Sequence, residues 1–308
     1  KNISLTSKKF NTNHKNIYLK EHFSFEKLRE IIGYHGQPIS TINYYAHAIL
    51  HSQMSKDGFK VSLSGTAADE IYAGYWDHHN FQLYDLKDTD DYERVLSNWK
   101  RHILPNVENK FLKNHELFEN QGKDFRGHTY LYSNTYKELL LSNYDEELKD
   151  INYITSSILK NRMMNELLNE TTPISLENED LNSMKYSIEN RSPFLDTNLI
   201  NFIYSIPINQ LIKNGYSKYI LRESLKGLIS EEVRLDRRKR GFNASIKSFF
   251  DIENKKNIDY LMEKSPIFDY VNRNKFETYL LRNNFYENSD KKFLFNFINC
   301  KIFLEMQN

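Results

Sequence analysis

A short turn followed by two acidic residues is the part of this sequence whose residue types most directly suggest chemistry. Apolar residues alternate over Phe59–Leu63, which predicts a strand, and the next residues are Ser64-Gly65-Thr66-Ala67-Ala68-Asp69-Glu70. Small residues let backbone N–H groups approach an anion closely, and a following helix adds a favourable dipole. Carboxylates beside a phosphate chain need a divalent cation between them, and Mg²⁺ is the usual one with oxygen ligands. On spacing alone, a turn whose acids cap a helix explains the pattern equally well.

Two further segments concentrate charge. The run Asp180–Asp196 predicts a helix that ends before Pro193, with Glu189 and Arg191 close enough to form a charge network. A helix terminus fixed by ion pairs is the plainer interpretation of that run. Five cations lie within Arg234–Arg240, a density that usually marks a solvated face or a nucleic-acid patch.

Together these segments resemble the asparagine synthetase family. Its signature Leu-Ser-Gly-Glu-Gly-Ala-Asp-Glu-Leu-Phe-Gly-Gly-Tyr is matched at Leu63, Ser64, Gly65, Ala68, Asp69, Glu70, Gly74 and Tyr75. Residues 182–196 are similar to the family's Asn-Ser-Met-Ala…Glu-x-Arg-x-Pro-Phe-Leu-Asp run. Residues 218–222 resemble its Lys-x-x-Leu-Arg helix, and residues 237–242 resemble its Arg-x-Lys-x-Gly-Phe loop.

The resemblance implies an ATP-dependent amide-forming ligase with ATP and Mg²⁺ as cofactors. Such an enzyme activates a carboxylate as an acyl-adenylate, releases pyrophosphate and transfers ammonia to the acyl group. Lys239 would stabilise charge that develops in the transition state, and losing such a contact costs roughly 3–4 kcal/mol of barrier. The implied roles are nucleotide contact for Leu5, Leu63, Ser64 and Gly65, Mg²⁺ binding for Asp69, catalysis for Lys239 and the acceptor-facing Thr66, and shaping of the site for Glu189, Arg191, Asp196 and Lys218.

The implied fold is α/β, with a doubly wound parallel sheet like that of adenine nucleotide alpha hydrolases, followed by a large, mainly helical region. We expect one synthetase domain over residues 1–308, with a nucleotide-binding part in residues 1–75 that is incomplete at its N-terminus and a helical part in residues 76–308. Ile3–Ser7 and Asn16–Leu19 are expected to be strands, Ser24 to cap a helix, and Ile42–Met54 to be a second helix. Helical spacing predicts core faces at Ile158, Leu159, Met163 and Leu167, and at Leu294, Phe297, Ile298 and Ile302.

The sequence departs from the family pattern at several points. The Ser-Gly-Gly-x-Asp-Ser pyrophosphate loop is absent, only about eight residues separate the first two expected strands, and no glutaminase domain is present. Ammonia would therefore come from a glutaminase domain outside this chain. Thr66 stands where asparagine synthetases carry the Glu associated with forming the aspartyl-adenylate, so aspartate as the acceptor is in doubt.

Alternatives to aspartate amidation follow from these departures. Relatives that carry Ser-Gly-Thr-Ala-Ala-Asp-Glu look like amidotransferases of surface-polysaccharide synthesis, so a sugar uronic acid is an alternative acceptor to aspartate. A nucleotide-binding scaffold without catalysis is a second alternative, and the missing pyrophosphate loop is its best support. Asp69 and Lys239 count against a scaffold, which needs neither.

Composition restricts partners and compartment. A formal net charge of +1 lacks the basic footprint of nucleic-acid binders, and no apolar run approaches the roughly 18 residues of a membrane span. The single cysteine, Cys300, excludes an internal disulfide and favours a reducing compartment, so we expect a cytoplasmic protein; a homodimer stays open. His78 and His79 are adjacent but have no evident third ligand, so no metal site is predicted there.

Overall fold

The computed structural model gives the chain as a succession of short helices around a small parallel sheet. It describes residues 2–19, 22–121, 128–129, 133–144, 150–239, 241, 244, 246, 250–251, 254–282 and 288–307. Arg240 and Phe242, which belong to the basic loop of the sequence, lie outside the described residues.

The elements follow one another along the chain, and three 3₁₀ turns over Leu104–Asn106, Pro193–Leu195 and Pro266–Asp269 connect some of them. The helices and strands are α1 (Asn2–Phe10), α2 (Phe25–His35), α3 (Ile42–Lys56), β1 (Val61–Leu63), α4 (Ala68–Ile71), α5 (Trp76–Leu86), α6 (Tyr92–His102), α7 (His115–Gln121), α8 (Ser133–Lys137), α9 (Ile158–Leu168), α10 (Thr171–Met184), β2 (Glu189–Arg191), α11 (Thr197–Ser205), α12 (Ile208–Leu211), α13 (Tyr219–Ser224), α14 (Glu231–Arg234), α15 (Lys255–Met262), α16 (Arg273–Leu281) and α17 (Asn288–Gln307).

The two helices expected before the sheet are confirmed. Ser24 caps α2 by accepting a 3.0 Å hydrogen bond from the backbone N–H of Lys27, because its extended backbone turns the side chain toward the first helical turn. Gly36, at φ 67°, ends the same helix in the left-handed region that glycine tolerates best. Helix α3 covers the predicted Ile42–Met54 and continues to Lys56.

The two strands expected at the beginning of the chain are wrong. Ile3–Ser7 lies inside helix α1, and residues 11–19 contain no strand. Helix α1 packs against α14 and is held there by the Lys9 ammonium, which donates to the carbonyls of Gly227 and Ile229 at 2.8 and 3.1 Å. The run Ile3–Ser7 is only five residues long, too short for its residue types to decide against a helix that tertiary contacts stabilise.

The sheet joins β1 to a segment that the sequence predicted to be helical. Strand β1 is confirmed, and it pairs in parallel with β2 in the register Val61↔Glu189, Ser62↔Asn190, Leu63↔Arg191. Helix α10 ends at Met184, and Ser187 follows in the left-handed region at φ 57°, which no helix can continue. The expectation that the helix reaches Pro193 is therefore wrong.

A polar helix lies between two hydrophobic clusters of the described residues. One cluster centres on α2, α3, α16 and α17, and it includes the predicted core residues Leu294, Phe297, Ile298 and Ile302. The other centres on α5, α6, α9 and α11, and it includes Leu159, Met163 and Leu167, with Ile158 partly buried against it. Helix α10 contacts both α3 and α9, yet its buried residues are the polar Thr172, Asn178, Glu179, Asn182 and Ser183.

The architecture is α/β in the sense that a parallel strand pair is surrounded by helices. In the described part of the chain the sheet has two strands, and the doubly wound sheet stays a prediction. The division at residue 75 also stays a prediction, although β2 brings a segment from beyond it into the sheet. None of the described helices combines the length and the apolar character that crossing a membrane requires.

Candidate active site

The turn after β1 opens at the carboxyl end of the strand pair. The Ser64 N–H donates to the carbonyl of Arg191 at 2.9 Å, which continues the parallel ladder by one bond beyond β1. Ala67 has φ 73°, and this left-handed step lets the chain reverse sharply into α4. A Cβ added to Gly65 would meet no atom within 4 Å, so the turn faces open space. Helix α4 has only four residues, too few for the helix dipole that the sequence suggested at this point.

Asp69 and two lysines from distant segments meet beside this turn. The Lys218 Nζ lies 3.0 Å from Asp69 Oδ1, and the Lys239 Nζ lies 3.8 Å from Asp69 Oδ2. Burial raises the pKa of the Asp69 carboxyl, but the two ammonium charges lower it by more, so the group is held ionised. We call these three residues the charged corner. Two positive charges against one negative charge leave it able to accept an anion.

A glycine makes the charged corner possible. A Cβ on Gly74 would lie 1.8 Å from Asp69 Oδ1 and 2.7 Å from Lys218 Cε, distances that no real Cβ tolerates. Lys218 itself sits at φ 55°, and its N–H donates to the carbonyl of Tyr72 at 3.1 Å. Tyr72, through its backbone carbonyl, and Gly74, through the space left by its missing side chain, therefore fix the position of Lys218.

The aromatic ring of Tyr75 contacts the Lys239 ammonium group. The Lys239 Nζ lies 3.7 Å from the centroid of the Tyr75 ring, a cation–π distance, and the Tyr75 hydroxyl donates to Glu70 at 2.6 Å. Burial lowers the pKa of the Lys239 ammonium, and the nearby Asp69 carboxylate opposes that shift without cancelling it. Glu70 is buried, so it acts on the site through Tyr75.

A buried ionic network continues behind Tyr75. His78 bonds through Nε2 to Glu166 at 2.7 Å, and the Arg162 Nε donates to the other oxygen of Glu166 at 3.0 Å. Burial lowers the pKa of His78, but the Glu166 carboxylate raises it by more. Asp77, His78 and Glu166 each have a potential ligand atom, and these atoms lie within 4.8 Å of one another. His78 therefore has two carboxylate neighbours, of which its sequence context did not reveal Glu166. Each oxygen of Glu166 is already engaged by His78 or Arg162, which accounts for the cluster without a metal.

Thr66 faces away from the charged corner, toward helix α10. Its hydroxyl donates to both oxygens of Glu179 at 2.8 Å and accepts from the Ser64 hydroxyl at 3.1 Å. The Ser64 hydroxyl also lies 2.9 Å from that of Ser192. Asn190 donates to Glu179 at 3.0 Å from the neighbouring strand. Thr66 thus occupies the position of the family's Glu, and a buried carboxylate from another helix stands next to it.

The remaining predicted site residues lie at the margins of this arrangement. Arg191 donates to Glu189 at 2.9 Å, and both side chains are 60% exposed, so their predicted ion pair exists but forms on strand β2 at the surface. Asp196 accepts from the backbone N–H groups of residues 198 and 199 at 3.0 Å and caps α11. Leu5 lies on α1 instead of a strand, and Leu63 is 73% exposed at the end of β1.

A cavity on α5 and α6 lies apart from this arrangement. It has a volume of about 120 Å³ and is lined by residues that include His79, Gln82, Trp99, Ile208 and Lys213. None of the predicted site residues is among the described residues that line it.

Sequence reasoning missed Glu179 and the structural roles of Gly74 and Tyr75. Gly74 and Tyr75 were matched to the family signature, so the signal for them was present without a geometric reason. Glu179 lies one residue before the charged run that begins at Asp180 and outside the segment matched to the family. Only the replacement of a carboxylate by Thr66 hinted that another carboxylate was needed.

Comparison with known proteins adds the family context. A family model described as Asparagine synthase matches residues 1–304. The chain is 24% identical over 241 residues to glutamine-hydrolyzing asparagine synthetase 1 of Bacillus subtilis (strain 168), covering 71% of this chain and 36% of that protein. It is 24% identical over 187 residues to glutamine-hydrolyzing asparagine synthetase 3 of the same organism, covering 58% of this chain and 25% of that protein. The matched part of the chain therefore spans about a third of the length of the first relative and a quarter of the length of the second.

Proposed function

The chain belongs to the asparagine synthase family, and from that premise we propose that it is the synthetase part of an ATP-dependent amide-forming ligase. The observation that carries the proposal is the charged corner, where Asp69, Lys218 and Lys239 converge from three separate segments. A site for a triphosphate needs clustered cations, and a carboxylate among them has a use when phosphates arrive with a divalent cation. A site that bound only a neutral ligand would need neither.

The proposed reaction has two steps. A substrate carboxylate attacks the α-phosphorus of ATP, the bond to the pyrophosphate oxygen breaks, and pyrophosphate leaves. Ammonia then attacks the acyl carbon, and AMP leaves with the electrons of the broken C–O bond. Lys239 would stabilise the charge that develops on the phosphate and acyl oxygens, because a preorganised cation in a partly buried site acts without reorganisation.

Magnesium would enter as part of the Mg·ATP substrate. Asp69 supplies one carboxylate, which is sufficient when phosphates and water complete the octahedral shell. The ammonium groups of Lys218 and Lys239 beside Asp69 would bind the same phosphates. Ser64 and Gly65 would contact the nucleotide, since the turn that contains them faces open space. Leu63 and Leu5 complete the proposed nucleotide contacts by family position alone.

The parallel strand pair supports this placement of the nucleotide. In open parallel sheets, ligands bind outside the carboxyl ends of the strands, which is where Ser64 and Ser192 follow β1 and β2. We propose that β1 and β2 belong to the doubly wound sheet expected from the sequence. The relatives' names specify glutamine hydrolysis, so ammonia would normally come from glutamine through a glutaminase domain separate from this synthetase part.

Two acceptors fit the side of the site near Thr66. The ammonium group of aspartate or a ring hydroxyl of a sugar uronic acid would suit the Ser192 hydroxyl, which lies 2.9 Å from that of Ser64 in this turn. Both acceptors present the carboxylate that the reaction requires, so only an assay with each of them distinguishes the two.

The test is nucleotide chemistry with a panel of carboxylates. The protein at its natural full length is incubated with Mg·ATP and ammonium chloride, together with L-aspartate or D-glucuronate, and the products are separated. We expect AMP and pyrophosphate in equal amounts, in the presence of one acceptor only, and capture of the activated acyl group as a hydroxamate when hydroxylamine replaces ammonia. Formation of ADP and phosphate, or nucleotide binding with no acceptor-dependent turnover, would contradict the proposal; the second result would favour the scaffold.

A further inference from the structure

A line of hydrogen-bonded hydroxyl groups crosses the site and ends at a buried carboxylate. It runs from the Ser192 hydroxyl to that of Ser64 over 2.9 Å, from Ser64 to Thr66 over 3.1 Å, and from Thr66 to Glu179 over 2.8 Å. We call these four residues the hydroxyl chain. Its members come from the residue after β2, the turn after β1 and the middle of α10. Contacts of this kind can pass a proton along without moving heavy atoms.

Glu179 is the member of the hydroxyl chain that can keep a proton. Hydroxyl groups of Ser and Thr do not ionise near neutral pH, so Ser64, Thr66 and Ser192 can only relay one. Glu179 is 6% exposed, and Asn190 holds it with a 3.0 Å hydrogen bond. Ser62 donates to Asn190 at 2.7 Å, which fixes the amide so that its NH₂ group points at the carboxylate. The strand pair therefore orients Glu179 toward Thr66.

We infer that Glu179 takes up the proton released when ammonia attacks the acyl-adenylate, and that the Thr66 hydroxyl relays it. The inference rests on the proposed function. Nitrogen forms its bond to the acyl carbon and becomes positively charged; one N–H proton passes to the Thr66 oxygen while the Thr66 proton passes to Glu179. The C–O bond to AMP then breaks and AMP leaves, so the amide, AMP and one protonated carboxyl group balance the step.

This assignment gives the second step of the reaction a base within the chain. Ammonia attack needs a base, and in this chain Thr66 stands where a carboxylate is expected in the family. Glu179 restores a carboxylate at one hydrogen bond's distance from that position. His47, on α3, has its Nδ1 3.8 Å from Glu179 Oε1 and is one of the titratable groups of that helix that interact with Glu179, together with Tyr44 and His51. Because Glu179 acts through Thr66, it is a positioning and proton-accepting residue and not one that contacts the acceptor.

The experiment measures the two half-reactions separately in the natural full-length protein. Acceptor-dependent exchange of pyrophosphate into ATP reports the first step, and amide formation from ammonium chloride reports the sum of both. In Glu179→Gln we expect amide formation to fall by about 10²-fold, the lower range for loss of a general base, while exchange changes little. Thr66→Val should show the same split because it keeps the shape and removes the relay, and Thr66→Ser should recover most of the activity.

Glu177→Gln is the matched control, since Glu177 lies on the same helix α10, is exposed and accepts a hydrogen bond from Gln37 at the surface. It should leave both half-reactions unchanged. Equal losses of exchange and amide formation in Thr66→Val, or unchanged amide formation in Glu179→Gln, would overturn the inference while leaving the ligase intact. If Glu179→Gln does not fold, the Thr66→Val and Thr66→Ser pair decides. Absence of any exchange in the wild-type protein would overturn the proposed function itself.

Discussion

The charged corner and the hydroxyl chain stand on the two sides of one seven-residue motif, yet they are built differently. The charged corner combines full charges from the motif, from the residue before α13 and from the basic loop, and its side chains are 25–32% exposed. The hydroxyl chain consists of neutral groups that end at a single buried carboxylate. Both depend on the sharp reversal at Ala67, which sends Thr66 toward α10 and Asp69 toward the lysines.

This difference teaches how one short turn can serve two chemical tasks. Partly exposed lysines retain strong electrostatic attraction for a phosphate chain, and solvent still reaches them so that a product can leave. A proton relay instead needs groups held in fixed directions and shielded from water, which a buried helix and a paired strand provide. We therefore expect changes at the charged corner to affect both half-reactions and changes at Thr66 and Glu179, the proton-accepting end of the hydroxyl chain, to affect only the second.

The largest effect is expected from Lys239→Met, which removes one cation of the charged corner and keeps a long apolar side chain. Both pyrophosphate exchange and amide formation should fall by about 10²–10³-fold, the usual loss for one preorganised group that stabilises transition-state charge. The measurement is the same pair of half-reactions. Loss of amide formation alone would erase the contrast between the two sides of the motif.

Arg238→Met is the matched control for Lys239→Met. Arg238 is the preceding residue of the basic loop, but its side chain is 61% exposed and pairs with Asp236 at 2.8 Å. Its loss should leave both half-reactions near the wild-type rates. A drop comparable with that of Lys239→Met would mean that the loop acts through its total charge and not through one placed ammonium group.

A smaller effect is expected from Gly74→Ala, which changes no charge. The added methyl group would collide with Asp69 and Lys218, and relieving such overpacking costs about 1–3 kcal/mol. If the collision is relieved by displacing Asp69 and Lys218, the transition state loses a similar amount of stabilisation. Pyrophosphate exchange should then fall roughly 10–100-fold, since each 1.4 kcal/mol is tenfold in rate. Gly33→Ala is the control, because its added methyl group would meet only the flexible end of Met306. Unchanged exchange in Gly74→Ala would show that the Asp69–Lys218 contact is dispensable.

Sequence reasoning predicted the charged corner better than the hydroxyl chain. The family motifs placed Asp69 and Lys239 at one site, and the structure brings their side chains within 3.8 Å. Periodicity also predicted α2, α3 and the core faces of α9 and α17, because those helices are long enough for the pattern to repeat. These successes share a cause: the information lies within each segment.

The failures share the opposite cause. Strand β2 has three residues and exists only because β1 lies beside it, so no local pattern reveals it. Helix α1 is stabilised by packing against α14, which is distant from it along the chain. The first residues of α1 also have a residue pattern that fits a strand. The pairing of Thr66 with Glu179 depends on the packing of α10 against that sheet, which spacing along the chain does not encode.

The smallest effect is expected from Asp196→Ala, which tests whether every carboxylate near the sheet belongs to the site. The family resemblance gave Asp196 a shaping role, but its Oδ1 accepts two backbone N–H groups at the start of α11. Removing a helix cap costs typically about 1 kcal/mol of the free energy of unfolding, so urea denaturation should show that loss, and Asp196→Asn should recover most of it because asparagine also caps well. Both half-reactions should keep their wild-type rates in both variants. A marked loss of exchange or amide formation in Asp196→Ala, with unchanged stability, would place Asp196 in the site beside the charged corner or the hydroxyl chain instead of giving it only a capping role.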